Sequence, residues 1–222
     1  MKKLIYHVVV LAIIIGFCGC VSESEKNVEQ NNVVAVKSPT VTTLAKKVLR
    51  SPDEIKSITQ EAMNKNNRYI CDRIVDYVDA YSTCISNVAV ANKNRYMCEG
   101  LKNYQSSYAQ CITLVATETK NQYICDSIKG SAGYDGCISA VAGVNGNRYV
   151  CDPIKSNPTE YAKCITGAAV ASKNRYKCDS ISETENYASC IISVATAAEN
   201  KLYCDKLKDT DSYEACISEA TG

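Results

Sequence analysis

The chain has 222 residues, 22% of them charged and 46% hydrophobic, with 14 cysteines, 15 tyrosines, one phenylalanine, one histidine and no tryptophan. Beyond Lys2 and Lys3, 23 basic and 24 acidic side chains remain, a balance that argues against nucleic acid as a partner. The one histidine, His7, lies near the N-terminus, so the rest of the chain has no imidazole for a catalytic base, a triad or a metal site.

The first element in chain order is Lys2 and Lys3 followed by an apolar run over residues 4–17, and then Cys18-Gly19-Cys20 ahead of polar sequence. This is the pattern of an export signal over residues 1–19. The Gly19-Cys20 junction resembles the lipobox of prokaryotic lipoproteins, in which a small residue precedes the cysteine that is lipidated after cleavage. Phe17 and Cys18 stand where that motif carries an aliphatic and a small residue, and the resemblance ends at Cys20. It implies a cell-membrane protein, lipid-anchored at Cys20 on the extracytoplasmic face. A retained signal anchor or a soluble secreted product are the alternatives. Residues 20–50 then hold the lipidated cysteine and a polar tether, which as a flexible coil would keep the domain beyond it about 30 Å from the membrane.

Ser51, Pro52 and Glu54 fit an N-cap, a first helical position and a capping-box partner, and set the start of a domain over 51–222. Within it, Cys71, Cys98, Cys125, Cys151, Cys178 and Cys204 recur at steps of 26 or 27 residues, a period typical of stacked supersecondary repeats. Six repeats read Asn-x-x-x-Cys-Asp/Glu-x-Ile/Leu, a variable polar stretch, and Tyr-x-x-Cys-Ile. In the second half Tyr81, Cys84, Ile85, Val88 and Ala89 form one α-helical stripe. The first half, with Tyr69, Cys71 and Ile74, predicts a shorter helical segment preceded by Asn67 as a cap or turn. Pro153 predicts that regular helix starts only at about Asp152 in the fourth repeat. The fold class is therefore all-α, a solenoid-like array of six short helical hairpins with one disulfide each.

An antiparallel hairpin joins residues equidistant from its turn, and stretches such as "KGSAGY" and "KDTDSY" are turns. This pairs Cys71 with Cys84, Cys98 with Cys111, Cys125 with Cys137, Cys151 with Cys164, Cys178 with Cys190, and Cys204 with Cys216. The pairing uses all twelve thiols. The shifted alternative would need a cysteine at Ser57 and would strand Cys71 and Cys216. Such bridges require the oxidising compartment that the export signal supplies.

Repeat register also forms rows. Arg68, Arg95, Arg148, Arg175 and Lys201 stand three residues before a cysteine, with Gln122 in the third repeat, and an Asp or Glu follows each of these cysteines. In an α-helix Arg68 and Asp72 would form a weak i,i+4 ion pair. The sharper reading makes the basic row, together with Asn and Tyr, a candidate binding face for an envelope protein or polymer. Tyr81 and its equivalents belong to the core stripe, while Tyr69, Tyr96, Tyr123, Tyr149 and Tyr176, with Leu202 in the sixth repeat, suggest an apolar requirement. No Cys-x-x-Cys occurs, so the thioredoxin, c-type haem and usual zinc patterns are lacking. No cofactor is expected. The chain reads as a noncatalytic, lipid-anchored, extracytoplasmic binding or scaffold module, the alternatives being a redox or metal-sequestering protein and, less favoured, a carboxylate-based hydrolase.

Overall fold

The computed structural model describes residues 50–220; the expected export signal, lipidation at Cys20 and tether fall outside the described residues. Seven α-helices are present there: α1 (Pro52–Asn64), α2 (Val78–Ala91), α3 (Gln105–Thr119), α4 (Tyr134–Asn145), α5 (Pro158–Ala171), α6 (Thr184–Ala198) and α7 (Tyr213–Glu219). Six 3-10 helices alternate with them: η1 (Arg68–Ile74), η2 (Arg95–Leu101), η3 (Gln122–Ile128), η4 (Arg148–Ile154), η5 (Arg175–Ser180) and η6 (Lys201–Leu207). No strand occurs among the described residues. Each repeat is one 3-10 helix followed by one α-helix.

The shorter arm is 3-10 because its buried residues are three apart. Cys71 and Ile74 are both buried, as are Cys98 and Leu101, and residues i and i+3 eclipse in this helix type. Its start is fixed by the asparagine before it, whose Oδ1 accepts from the backbone N–H two residues on: Asn67 from Tyr69 at 3.0 Å, Asn94 from Tyr96 at 3.0 Å. The α-helices end in a shared corner. Asn66, Lys93, Lys120, Lys173 and Glu199 have φ of 49–54°, with Gly146 at 59°. After each of the five non-glycine corners the next N–H reaches back to a carbonyl five residues earlier, as in Asn94 to Ala89 at 2.9 Å, the bond pattern of a left-handed C-terminal cap.

The fourth repeat departs from expectation. Its 3-10 helix begins at Arg148, with Pro153 inside it. The proline removes one N–H, but its fixed φ suits a helical turn, and the bonds from Val150 to Asn147 (3.3 Å) and Lys155 to Asp152 (3.2 Å) close the segment on either side.

The six disulfides are Cys71–Cys84, Cys98–Cys111, Cys125–Cys137, Cys151–Cys164, Cys178–Cys190 and Cys204–Cys216, with Cα atoms 5.7–5.9 Å apart. All twelve cysteines are fully buried. Closing loops of this length stabilises by about 3 kcal/mol per bridge through the entropy of the unfolded chain. Each 3-10 helix packs between the α-helix before it and the one after it, and successive α-helices pack side by side. Ile85, Ile112, Ile138, Ile165 and Ile191 repeat as the buried centre, flanked by the Val88 and Ala89 positions. α1 is a half-repeat that caps this stack. Ile58 and Ala62 are buried where Ile85 and Ala89 are, while Glu61, at the place of Val88, meets Lys65 and Arg73 at 2.8 Å each. A polar outer face is what a terminal repeat needs.

Candidate functional site

The rows predicted from the sequence separate into two kinds in the structure. The arginines are half-buried and act between repeats. Arg95 Nη1 donates to Ser127 Oγ in the next repeat at 2.7 Å, Arg148 makes the same bond to Ser180, and Arg175 Nη1 lies 3.4 Å from the carbonyls of Leu202 and Tyr203. Arg68 packs over Gly100, where an added Cβ would meet its Nη1 at 2.8 Å. The ion pairs expected between residues four apart, such as Arg68 with Asp72, do not form. In a 3-10 helix the fourth residue is a third of a turn off the face of the first, whereas Arg68 shares a face with Cys71 and so points toward the neighbouring repeat. The acidic row has other partners: the Tyr81, Tyr134 and Tyr187 hydroxyls donate to Asp72, Asp126 and Asp179 at 3.3, 3.5 and 3.4 Å. Burial, reinforced by these carboxylates, raises all three phenol pKa values above the ordinary range.

The tyrosines that begin the 3-10 helices face outward. Tyr69, Tyr96, Tyr123, Tyr149 and Tyr176 are 62–71% exposed, and Leu202 at the sixth position is 67% exposed. Four of these rings have one face covered by the preceding guanidinium, whose Cζ lies 4.5–5.1 Å from the ring centroid, within cation–π range. The arginine is thereby held twice, by the ring and by the next repeat, and the other ring face stays open. Asn67 and its equivalents cap the 3-10 helices through their side-chain oxygens. The sequence offered Tyr, with Arg and Asn, for a binding face and gave the Tyr69 position an apolar requirement, without placing the ring outward. What could have revealed it is the three-residue spacing of Cys71 and Ile74, which leaves Tyr69 a third of a turn away from the buried face.

Charge is unevenly placed over the array. Beside the tyrosine row stand the exposed residues Lys65, Lys93, Lys120 and Lys173 at the corners and Lys201 at the start of η6, with Glu118 and Glu199 as acids of this edge. Lys65 and Lys93 form solvent-exposed pairs with Glu61 and Glu118, which are weak. One 3-10 turn further on stands the acidic row of Asp72 and its equivalents, and the tips carry both signs, with Asp76, Asp79, Glu183, Glu185, Asp209 and Asp211 beside Lys102, Lys129, Lys155 and Lys208. An open hollow of about 290 Å³ at the junction of the second and third repeats is lined by Gln105, Tyr108, Ser127, Ile128 and Gly130, among others. Among the described residues no group of three or more His, Cys, Asp or Glu side chains converges.

Fold and edge together define a disulfide-closed α/3-10 helical-repeat domain with one aromatic and cationic edge. No protein-family model, curated protein or solved structure matches this chain.

Proposed function

We propose that the chain is a noncatalytic, lipid-anchored module on the extracytoplasmic side of a cell membrane, which binds or scaffolds envelope components through side chains repeated along the array. The observation that carries this reading is the outward position kept as Tyr or Leu in six successive repeats, each 62–71% exposed. A large apolar side chain left in water at one register position is not needed for the core. Repetition multiplies weak contacts through effective concentration. The twelve buried, disulfide-bonded cysteines suit an oxidising compartment, and the Gly19-Cys20 junction supplies the anchor.

The test uses protein isolated from its native membrane. Intact mass should show cleavage before Cys20 and a diacylglyceryl adduct on it, and a photocrosslinking residue at Tyr123 should trap an envelope component. Protein recovered in soluble form without the adduct, and with no crosslink, would contradict the proposal.

A further inference from the structure

We infer that the corner edge, with its exposed Tyr and Leu row and flanking lysines, is a docking face for an anionic lipid surface and lays the repeat array against the membrane that holds its anchor. The inference rests on the lipid-anchored reading and adds the orientation of the domain.

Three observations favour lipid over a soluble polymer. The first is the residue choice. Tyrosine, with an apolar ring and a polar tip, sits well at the headgroup level of a bilayer. In the sixth repeat the exposed residue is Leu202, which keeps the apolar contact but lacks the ring that stacking on a sugar or a nucleobase requires. The second is the charge distribution. Lys65, Lys93, Lys120, Lys173 and Lys201 outnumber Glu118 and Glu199 beside the row, whereas the tips mix Asp76, Asp79, Glu183, Glu185, Asp209 and Asp211 with Lys102, Lys129, Lys155 and Lys208. An anionic surface therefore attracts the corner edge more strongly than the tips, which favours a corner-down array. The third is reach. Thirty residues separate Cys20 from Ser51 and can span at most about 100 Å, so a lipid on Cys20 keeps the array near the headgroups. A second, polybasic signal beside an acyl anchor is a common way to make membrane attachment stable.

The absence of tryptophan makes a single-reporter experiment clean. Tyr123 follows Gln122, not an arginine, and is 71% exposed, so Tyr123→Trp disturbs no guanidinium contact. Val78→Trp at a tip, where Val78 is 41% exposed, is the control. The full-length, natively processed variants are reconstituted into phosphatidylcholine vesicles with or without phosphatidylglycerol, in both cases containing a bromine-labelled lipid that quenches tryptophan on contact. The expected result is quenching of the residue 123 reporter in anionic vesicles only, relieved by salt, with no quenching of the residue 78 reporter. Lys120→Gln, Lys173→Gln and Lys201→Gln should each lower the docked-to-undocked ratio about fivefold. Anchored protein with an unquenched residue 123 reporter, equal quenching in neutral vesicles, or a spectral shift caused by a soluble anionic glycan but not by vesicles would overturn the inference. Quenching retained in protein that carries no lipid on Cys20 would remove the anchor and leave the docking face standing.

Discussion

Neighbouring repeats are joined in two different ways. At four of the five junctions an arginine on one 3-10 helix reaches the next: Arg68 over Gly100, Arg95 to Ser127, Arg148 to Ser180, and Arg175 to the carbonyls of Leu202 and Tyr203. Between the third and fourth repeats the donor is replaced by Gln122, and Pro153 stands where Ser127 and Ser180 accept. There the α-helices take over. α4 and α5 are the most closely packed successive pair, and an added Cβ on Gly167 would lie 3.9 Å from the Gly143 Cα. Asn157 Nδ2 also donates to Asp135 Oδ2 across this junction at 3.1 Å. The array keeps its register by either device, a polar bridge between 3-10 helices or a glycine contact between α-helices. What both kinds of junction share is the buried Cys, Ile and Val-Ala centre.

The largest expected effect checks that shared centre. Ile138→Ala at the glycine junction and Ile191→Ala at an arginine junction should each destabilise by about 2–5 kcal/mol, and a several-fold difference between them in urea unfolding would show that the core is not equivalent. Next comes the glycine contact itself. Gly167→Leu drives side-chain atoms onto the α4 backbone and should cost about 1–3 kcal/mol, whereas Ser193→Leu, the same register position in α6, should stay within about 0.5 kcal/mol; equal losses would deny that this junction is special. Arg95→Ala should remove about 0.5–1.5 kcal/mol, with Gln122→Ala near zero, measured by the same unfolding curves.

Smaller still, Gly167→Ala adds one Cβ at ordinary contact distance and should stabilise by about 0.5–1 kcal/mol through helix propensity. A loss of stability would mean that the two helices need a closer approach than 3.9 Å. The last effect depends on pH and acts through Tyr81, Tyr134 and Tyr187, whose folded-state pKa values are raised by burial first and by their Asp partners second. Their contribution is fully present below the unfolded pKa of about 10. Above it the unfolded chain releases protons that the folded chain retains, so stability falls as pH rises through the folded values. The triple Tyr→Phe variant should flatten that alkaline slope.

The period, the all-helical class and the disulfide within each hairpin were legible in the sequence because cysteine spacing carries them directly: Cys71 and Cys84 bracket a turn, as do the other five pairs. The kind of helix in the shorter arm was not. Seven residues such as Arg68–Ile74 span barely two turns, too few for a period of 3.0 to stand apart from one of 3.6. The remaining differences stem from that one. An α-helical reading places Arg68 beside Asp72, whereas the 3-10 helix turns Arg68 toward the next repeat and gives Asp72 to Tyr81. The position of Pro153 inside η4 has the same origin, since a short 3-10 segment offers few bonds for a proline to break. The closeness of α4 and α5 was carried by Gly143 and Gly167, but a glycine in a helix does not announce which neighbour it admits.

Peptide mapping of the native protein under nonreducing conditions tests the central claim most directly, that each repeat is a unit closed by its own disulfide and joined to its neighbours only by packing and hydrogen bonds. Six bridges are expected, Cys71–Cys84 through Cys204–Cys216, each within a repeat, with no free thiol among these twelve cysteines. Bridges between repeats, such as Cys84 to Cys98, or a set of alkylatable thiols, would contradict it.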